Sequence, residues 1–533
     1  MKKIKTLLAV IIIITLSAGV FAACGTAERR QDSGRITVRL AAPQNAFIEN
    51  FDTNLYKLWL EEQTGLNIEM IWLPVEEAEQ IAMIALSTGE GLPDAYVGFG
   101  SSSYNLFNNL NLQKYGEAGT IISLNPLIEQ YGANLKSVWE ELTEFDIQQL
   151  MTMPDGNIYY MPGFSSSLIT RYVRQVMWVN RGWIDELGLD VPATTDEFRD
   201  MLRAFNTENR IPLSGTEEHY GKQAYNFLFN AFIYNDEKHN RLILENGAVG
   251  FAPVREEWRE ALRYMRGLFD EGLISPLSFT QNDQQLKQMA NDPRDILGAF
   301  ASPGLTFTVQ QNSPEMMERY IGIAPLTGPN GVSNAFVSIP LPKPYGVITS
   351  AAQHPEEVFK LFDLMLSEEA CLMGRYGERG ADWDWVQGGD ISIYGTPATI
   401  RIINQIWNTP QNKHLQQIVP YVSRPKFSGG VTWSGNATDG EYMNAQAVML
   451  YREHEPAEYI GALIFTPEEE ERILNVETEI ENYVRQSIID FITGGRNIES
   501  DNDWQIYINE FEALGLHTLV ETAQTATDRM RGE

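Results

Sequence analysis

The sequence predicts an α/β chain built from parallel strand–helix–strand units. Three observations carry that expectation: short β-rich runs alternate with amphipathic helical stretches over the first hundred residues, the alternation resumes later in the chain, and 43% hydrophobic with 11% aromatic content over 533 residues can fill substantial cores. Ile36-Thr-Val-Arg-Leu-Ala alternates with period two and reads as the first strand. Asn50 to Gln63 reads as an amphipathic helix closed by Gly65, and Asn67 to Leu73 as the second strand. Glu76 to Leu86 is expected to be helical with Gly89 and Gly91 as stops, after which Ala95-Tyr-Val-Gly-Phe99 returns to strand. Further on, Thr195–Phe205 reads as a helix capped by Thr194 or Thr195, and Glu256–Phe269 as a helix ending at Gly272. Ile296–Ala301 and Tyr345–Thr349 read as buried strands, and His354–Leu366 as a helix. Helices dominate the end, notably Pro467–Phe491 and Trp504–Leu514. No internal repeat or low-complexity tract interrupts this order.

Ahead of the fold, a basic tip (Lys2, Lys3, Lys5), an apolar run from Leu7 to Leu16 and small residues leading to Cys24 have the order of a secretory signal. The run is too short to span a bilayer, which takes about 20 apolar residues. Val20-Phe21-Ala-Ala-Cys24 resembles the lipobox of bacterial lipoproteins, although Phe21 stands where Leu is usual. The resemblance implies a signal peptide over residues 1–23, a lipidated Cys24, a tether over residues 24–34 and attachment to the outer face of the cell membrane. The chain carries 71 acidic and 40 basic residues, a formal charge of −31. That charge repels phosphate backbones, so no nucleic acid is expected as partner. Cys371 is the only other cysteine; with Cys24 lipidated no intramolecular disulfide can form, and Cys371 reads as a small buried apolar residue.

Catalytic patterns are weak. The six histidines are scattered without the spacing that would put two imidazoles on one metal, and no nucleophile elbow, phosphate loop or dinucleotide fingerprint is present. Carboxylates are abundant enough that some pair, such as Asp382 and Asp384, will lie at glycosidase distance by chance, and solvated loop acids explain such a pair better. Aromatic residues point elsewhere. Trp383, Trp385, Trp407 and Trp433 fall in the C-terminal half, the first two inside Gly380-Ala-Asp-Trp-Asp-Trp-Val-Gln-Gly-Gly389, a loop by composition. Indole faces beside aspartates suit sugar rings, which present flat C–H faces together with hydroxyls. A core plug is the plainer role for one of the pair.

Several ordered motifs then resemble one family, the extracellular solute-binding protein family 1, substrate-binding lipoproteins of carbohydrate ABC importers. Leu86-Ser-Thr-Gly-Glu-Gly-Leu-Pro-Asp94 is similar to its glycine-then-PD segment, and Asp155-Gly-Asn-Ile-Tyr-Tyr160 to its DGxIY turn. Met177 to Phe198 resembles the WLDxLGL helix followed by P-x-T and a capped helix. Phe269-Asp-Glu-Gly-Leu-Ile274 and the terminal Ile492-Thr-Gly, Asp503-Trp and Leu514-Gly-Leu segments resemble later landmarks. Departures occur at Asn180-Arg181-Gly182, at Arg379, and at Asn206–Pro212, where too few carboxylates stand at suitable spacing for the calcium loop some relatives hold.

The resemblance implies a two-lobed α/β fold of the periplasmic-binding-protein type II kind, with lobe one over 35–167 and 335–395 and lobe two over 168–334 and 396–533. It implies a carbohydrate ligand, a permease partner and a monomer without cofactor, metal or catalysis. The expected ligand contacts are Asn45, Phe99, Ser101 and Ser102 in loops of lobe one, Tyr160, Trp178 and Trp433 from lobe two or the hinge, and Trp383 and Trp385. Asp94 and Asn180 are each balanced between ligand contact and capping of local backbone N–H groups. A peptide-binding importer component, a tethered glycoside hydrolase and a sensory sugar-binding protein are the alternatives.

Overall fold

The computed structural model describes residues 34–532 except 102, 173–174, 220 and 407–408. The expected signal peptide, the lipidation site Cys24, nearly all of the tether, and Ser102 and Trp407 lie outside the described residues. Two separate hydrophobic cores organise the rest, one built on a six-stranded sheet and one on a four-stranded sheet.

The first sheet runs in the order 421–423, 161–165, 343–348, 95–97, 37–43, 67–73. Thr37–Pro43 lies parallel to Asn67–Leu73 on one side and to Ala95–Val97 on the other, so the expected βαβ units are present. Their helices have local causes. Asn54 accepts backbone N–H bonds from Tyr56 and Lys57 to start Leu55–Thr64, and Gly65 closes it at φ 70°, a left-handed position that glycine takes without strain. The strand Lys343–Ile348 enters antiparallel to both neighbours, and Tyr421–Ser423 adds an edge strand parallel to Met161–Ser165.

The second sheet runs 320–322, 176–180, 297–302, 211–214, with only the last pair parallel. Its covering helix Thr195–Phe205 starts with a capping box in which Thr194 and Glu197 exchange side-chain-to-backbone bonds. The C-terminal helices Pro467–Thr493, Asp501–Ala513 and Leu516–Arg531 bury Ile480, Val484, Tyr507 and Leu519 on this core. Among the described residues no helix is long and apolar enough to cross a membrane.

Two stretches sit differently from the expected partition. Leu415, Ile418, Val419 and Val422 pack in the first core, although 396–533 is expected in lobe two, while Ala335 and Val337 pack in the second, although 335–395 is expected in lobe one. A run of three strand residues does not announce which sheet edge it will join. The segment around Trp383 also differs: it is a strand, Trp383–Trp385, paired antiparallel with Ile400–Ile402. With Leu372 and Phe427 this ribbon makes a third, small apolar cluster. Cys371 is buried, as expected.

Candidate functional site

The order of the first sheet marks a crevice. From Thr37–Pro43 the chain passes through a helix to Asn67–Leu73 on one side, then returns through a second helix to Ala95–Val97 on the other. In open α/β sheets ligands bind outside the carboxyl ends of strands at such a reversal. The loops leaving the two strands, from Gln44 and from Gly98, diverge there and wall a recess of about 390 Å³ with Tyr345 and the 416–421 segment.

Each wall has a local explanation. Asn45 accepts the N–H of Phe47 on Oδ1 at 2.9 Å, closing a turn directly after the strand. Gly98 turns the other loop at φ 81°, and a Cβ there would lie 3.3 Å from Ile418. Tyr345 sits at a register shift between Pro344 and Gly346, a bulge that re-aims its side chain. Its ring fills a slot that only glycines leave open, because a Cβ on either Gly100 or Gly163 would come within 2.3 Å of it. Tyr421 meets Tyr345 edge to face, centroids 5.2 Å apart at 89°. Burial, followed by the neighbouring phenol, pushes the Tyr345 hydroxyl far above its ordinary pKa, and burial raises Tyr421 too, so both stay neutral. Gln416, 4% exposed, lines the recess with Oε1 lacking a hydrogen-bond partner. Native proteins rarely leave a buried acceptor so.

Of the expected contacts, Asn45 and Ser101 meet in this recess. Phe99 does not line it: it is buried edge-on against Tyr104, at 5.3 Å, and so backs a ring that does. Tyr160 is buried in the first core and donates its hydroxyl to the Pro342 carbonyl at 3.2 Å. Trp178 lies in a strand covered on both faces and gives its indole N–H to the Ser302 carbonyl, which places it in the second core. Trp383 is a plug, 4% exposed, donating to the Gly377 carbonyl at 3.1 Å. Trp385 opens on a different recess beside Asp390 and Arg401. Trp433 is half-buried, with one face stacked on Tyr442 at 4.6 Å. Asp94 and Asn180 cap backbone: Asp94 accepts the Arg39 N–H at 2.7 Å, and Asn180 accepts the Trp183 N–H at 3.1 Å. Tyr345, Tyr421 and Gln416 line the recess without being among the expected contacts; the sequence sign of the tyrosine slot is the pair Gly100 and Gly163, uninformative until the sheet order is known.

The acid pair does not form a catalytic dyad. Asp382 is fully buried and accepts bonds from Lys413 at 2.6 and 2.8 Å, from Asn404 at 3.0 Å and from the Glu378 N–H at 2.9 Å. Burial opposes its ionisation, yet these donors hold it below the ordinary carboxylate value, the reverse of what a general acid needs. Asp384 is turned to Arg379 at 3.1 Å. Among the described residues no group of three or more His, Cys, Asp or Glu is placed to hold a metal ion.

Side chains tie the lobes together at a seam distant in sequence from the recess. Arg171 donates to Glu144 of the first lobe at 2.7 Å and to Glu455 of the second at 2.5 Å.

Comparison with known proteins adds an independent line. The model of the bacterial extracellular solute-binding protein family matches residues 41–370. The fructooligosaccharide ABC transporter substrate-binding protein FusA of Streptococcus pneumoniae serotype 4 is 25% identical over 497 residues, 88% of this chain and 86% of that one. Lipoprotein LipO of Bacillus subtilis (strain 168) is 24% identical over 397 residues, 70% of this chain and 73% of its own. Among solved structures, an HMO-binding, ABC-transporter-associated solute-binding protein from Bifidobacterium longum infantis superposes with a TM-score of 0.74 at 18% identity, covering 93% of this chain and 99% of its own.

Proposed function

The chain belongs to the bacterial extracellular solute-binding protein family, and from that premise we propose that it captures an oligosaccharide outside the cell and hands it to the permease of an ABC importer. The observation that carries the ligand class is the recess after the first-lobe strands. Tyr104, Tyr345 and Tyr421 offer ring faces and edges for sugar C–H groups, while Asn45, Ser101 and Gln416 offer short polar groups for hydroxyls. FusA, similar over most of the chain, is described as binding fructooligosaccharide, which agrees with that chemistry.

Function in this reading is a population shift. A ligand held by the first lobe that gains contacts from the second stabilises the closed arrangement by its extra affinity for it. Trp433, with one face already against Tyr442, is the second-lobe aromatic we assign to that step. Cys24 would carry the lipid anchor and keep the protein beside its permease; the similarity to LipO supports this. Hydrolysis is disfavoured by the buried, ion-paired Asp382.

Calorimetry against a panel of oligosaccharides tests the reading. The protein is expected to bind at least one series, and Tyr421→Ala to lower that affinity by about 1–3 kcal/mol with the fold retained. Binding of peptides alone, or turnover of the saccharide, would overturn it.

A further inference from the structure

We propose that the recess selects an electrically neutral oligosaccharide and discriminates against saccharides that carry carboxylate, sulfate or ammonium groups; this rests on the carbohydrate reading above. The observation is what the lining omits. Fourteen described residues line the recess, and none is Asp, Glu, Lys, Arg or His. Charged residues make up 21% of the chain, so their complete absence from such a lining is informative. The polar groups present are amides, two serine hydroxyls and three phenols, with Gln44, Asn45, Gln416 and Gln417 supplying the amides. Amides and hydroxyls both donate and accept, as sugar hydroxyls do, and so pair with them without leaving charge uncompensated.

Other recesses of the molecule are built differently. The seam between lobes carries Glu144, Asp146, Arg171 and Arg531. The hollow beside Trp385 carries Asp390 and Arg401, and the one at the start of the described chain carries Arg35, Arg39, Asp94 and His354. An uncharged wall is therefore a property of this place and not of the surface at large.

Energetics give the omission its consequence. A uronate carboxylate entering the recess would shed hydration and meet no cation in the lining, only the charge of Arg375 reaching Tyr421 from outside it, and an ammonium would meet no carboxylate in the lining, only Glu76 and Glu79 near Tyr104; burying a charge without a direct partner is among the costliest steps in recognition. The tyrosines cannot supply an anion, since burial keeps the Tyr345 and Tyr421 phenols protonated. At the rim Glu76 and Glu79 lie close enough to Tyr104 to raise its pKa after burial does, and they add repulsion toward anionic sugars. Gln416 is the position that tests this neutrality most directly, because it lines the recess and is itself buried, so a charge placed there is poorly hydrated.

The test is calorimetry on the purified chain with neutral fructo-, malto-, manno- and xylo-oligosaccharides, with oligogalacturonates, and with glucosamine oligomers of matching length, at low and high salt. Expected is binding of at least one neutral series with an affinity that salt leaves unchanged within about twofold, and charged oligomers weaker by at least roughly tenfold. Gln416→Lys should weaken the neutral ligand and raise relative affinity for oligogalacturonate; Gln44→Lys serves the same purpose if the first variant does not fold. Equal or tighter binding of a charged series by the unsubstituted protein, or neutral-ligand affinity that collapses with salt, would overturn the neutrality proposal and leave the carbohydrate reading standing. If no saccharide of any class binds, both fail together.

Discussion

Two aromatic regions of this molecule are built differently along the sequence and do different work in the fold. The Trp383–Trp385 ribbon is dense in indoles and acids, whereas the recess after the first-lobe strands gathers tyrosines from three distant parts of the chain. In the ribbon the rings turn to each other: Trp383 and Trp385 meet edge to face at 5.1 Å, and Trp385 leans on Phe427 at 5.8 Å. In the recess the Tyr345 ring is backed by glycines, which leaves the neighbouring tyrosine and amides facing open space. Aromatic density along a sequence thus marks a cluster; what stands behind the rings decides whether the cluster is a plug or a platform. Polar surroundings separate the two as well, since the ribbon carries the ion-paired Asp382 and the recess carries no charge.

The largest effect that would sharpen this contrast is on stability. Trp383 is buried and hydrogen-bonded in the ribbon, so Trp383→Ala is expected to cost about 3–5 kcal/mol, close to the truncation of any core tryptophan. Denaturant unfolding measures it. A loss under about 1 kcal/mol, accompanied by lost sugar affinity, would make Trp383 a platform and break the contrast.

How legible each region was follows from the range of the interactions that build it. The helix start at Thr194 and the stop at Gly65 are made within a few residues and could be read directly, whereas the first helix begins at Leu55 under an Asn54 cap and not at Asn50, whose side chain closes a turn by accepting the N–H groups of Asp52 and Thr53. Loops after the first and third strands also announced themselves, which is why Asn45 and Ser101 reach the recess. Tyr345 and Tyr421 depend instead on a bulge, on the antiparallel entry of 343–348 and on the return of 421–423 to the first sheet. These are choices between sheet edges far apart in sequence. The misplacement of Trp178 has the same origin: Val176–Asn180 is buried at every position, so no alternation tells which face looks toward the cleft.

Acid should act on the two regions in sequence. His414 lies on the segment that leads into the recess, fully buried, and burial pushes its imidazole down from 6.5 to about 4. The unfolded chain therefore binds a proton that the folded one refuses between those values, and stability from this group, on the order of 3 kcal/mol, is present above pH 6.5 and lost as pH falls toward 4. Asp382 in the ribbon is held below its ordinary value of 3.8, so its contribution persists until more acidic conditions. Melting temperature against pH is expected to fall between pH 6.5 and 4, and His414→Gln to flatten that fall. An identical slope in both proteins would show that His414 is not the group responsible.

The smallest expected effect is the most discriminating. Trp385 is half-exposed and is the ribbon residue that a ligand could reach, yet the hollow it lines also holds Asp390 and Arg401 and shares no lining residue with the tyrosine recess. Its indole contributes to the Phe427 and Trp383 cluster, which gives a truncation only a partial stability cost. If the recess is where the sugar sits, Trp385→Ala should leave affinity within about twofold of the parent, against the roughly five- to 150-fold loss expected at Tyr421. Parallel titrations of the two variants with the same oligosaccharide decide between the regions. A binding loss at Trp385 that matches or exceeds the loss at Tyr421 would move the ligand onto the ribbon, where Asp390 and Arg401 would then take part in recognition, and the neutrality argument would have to be abandoned with it.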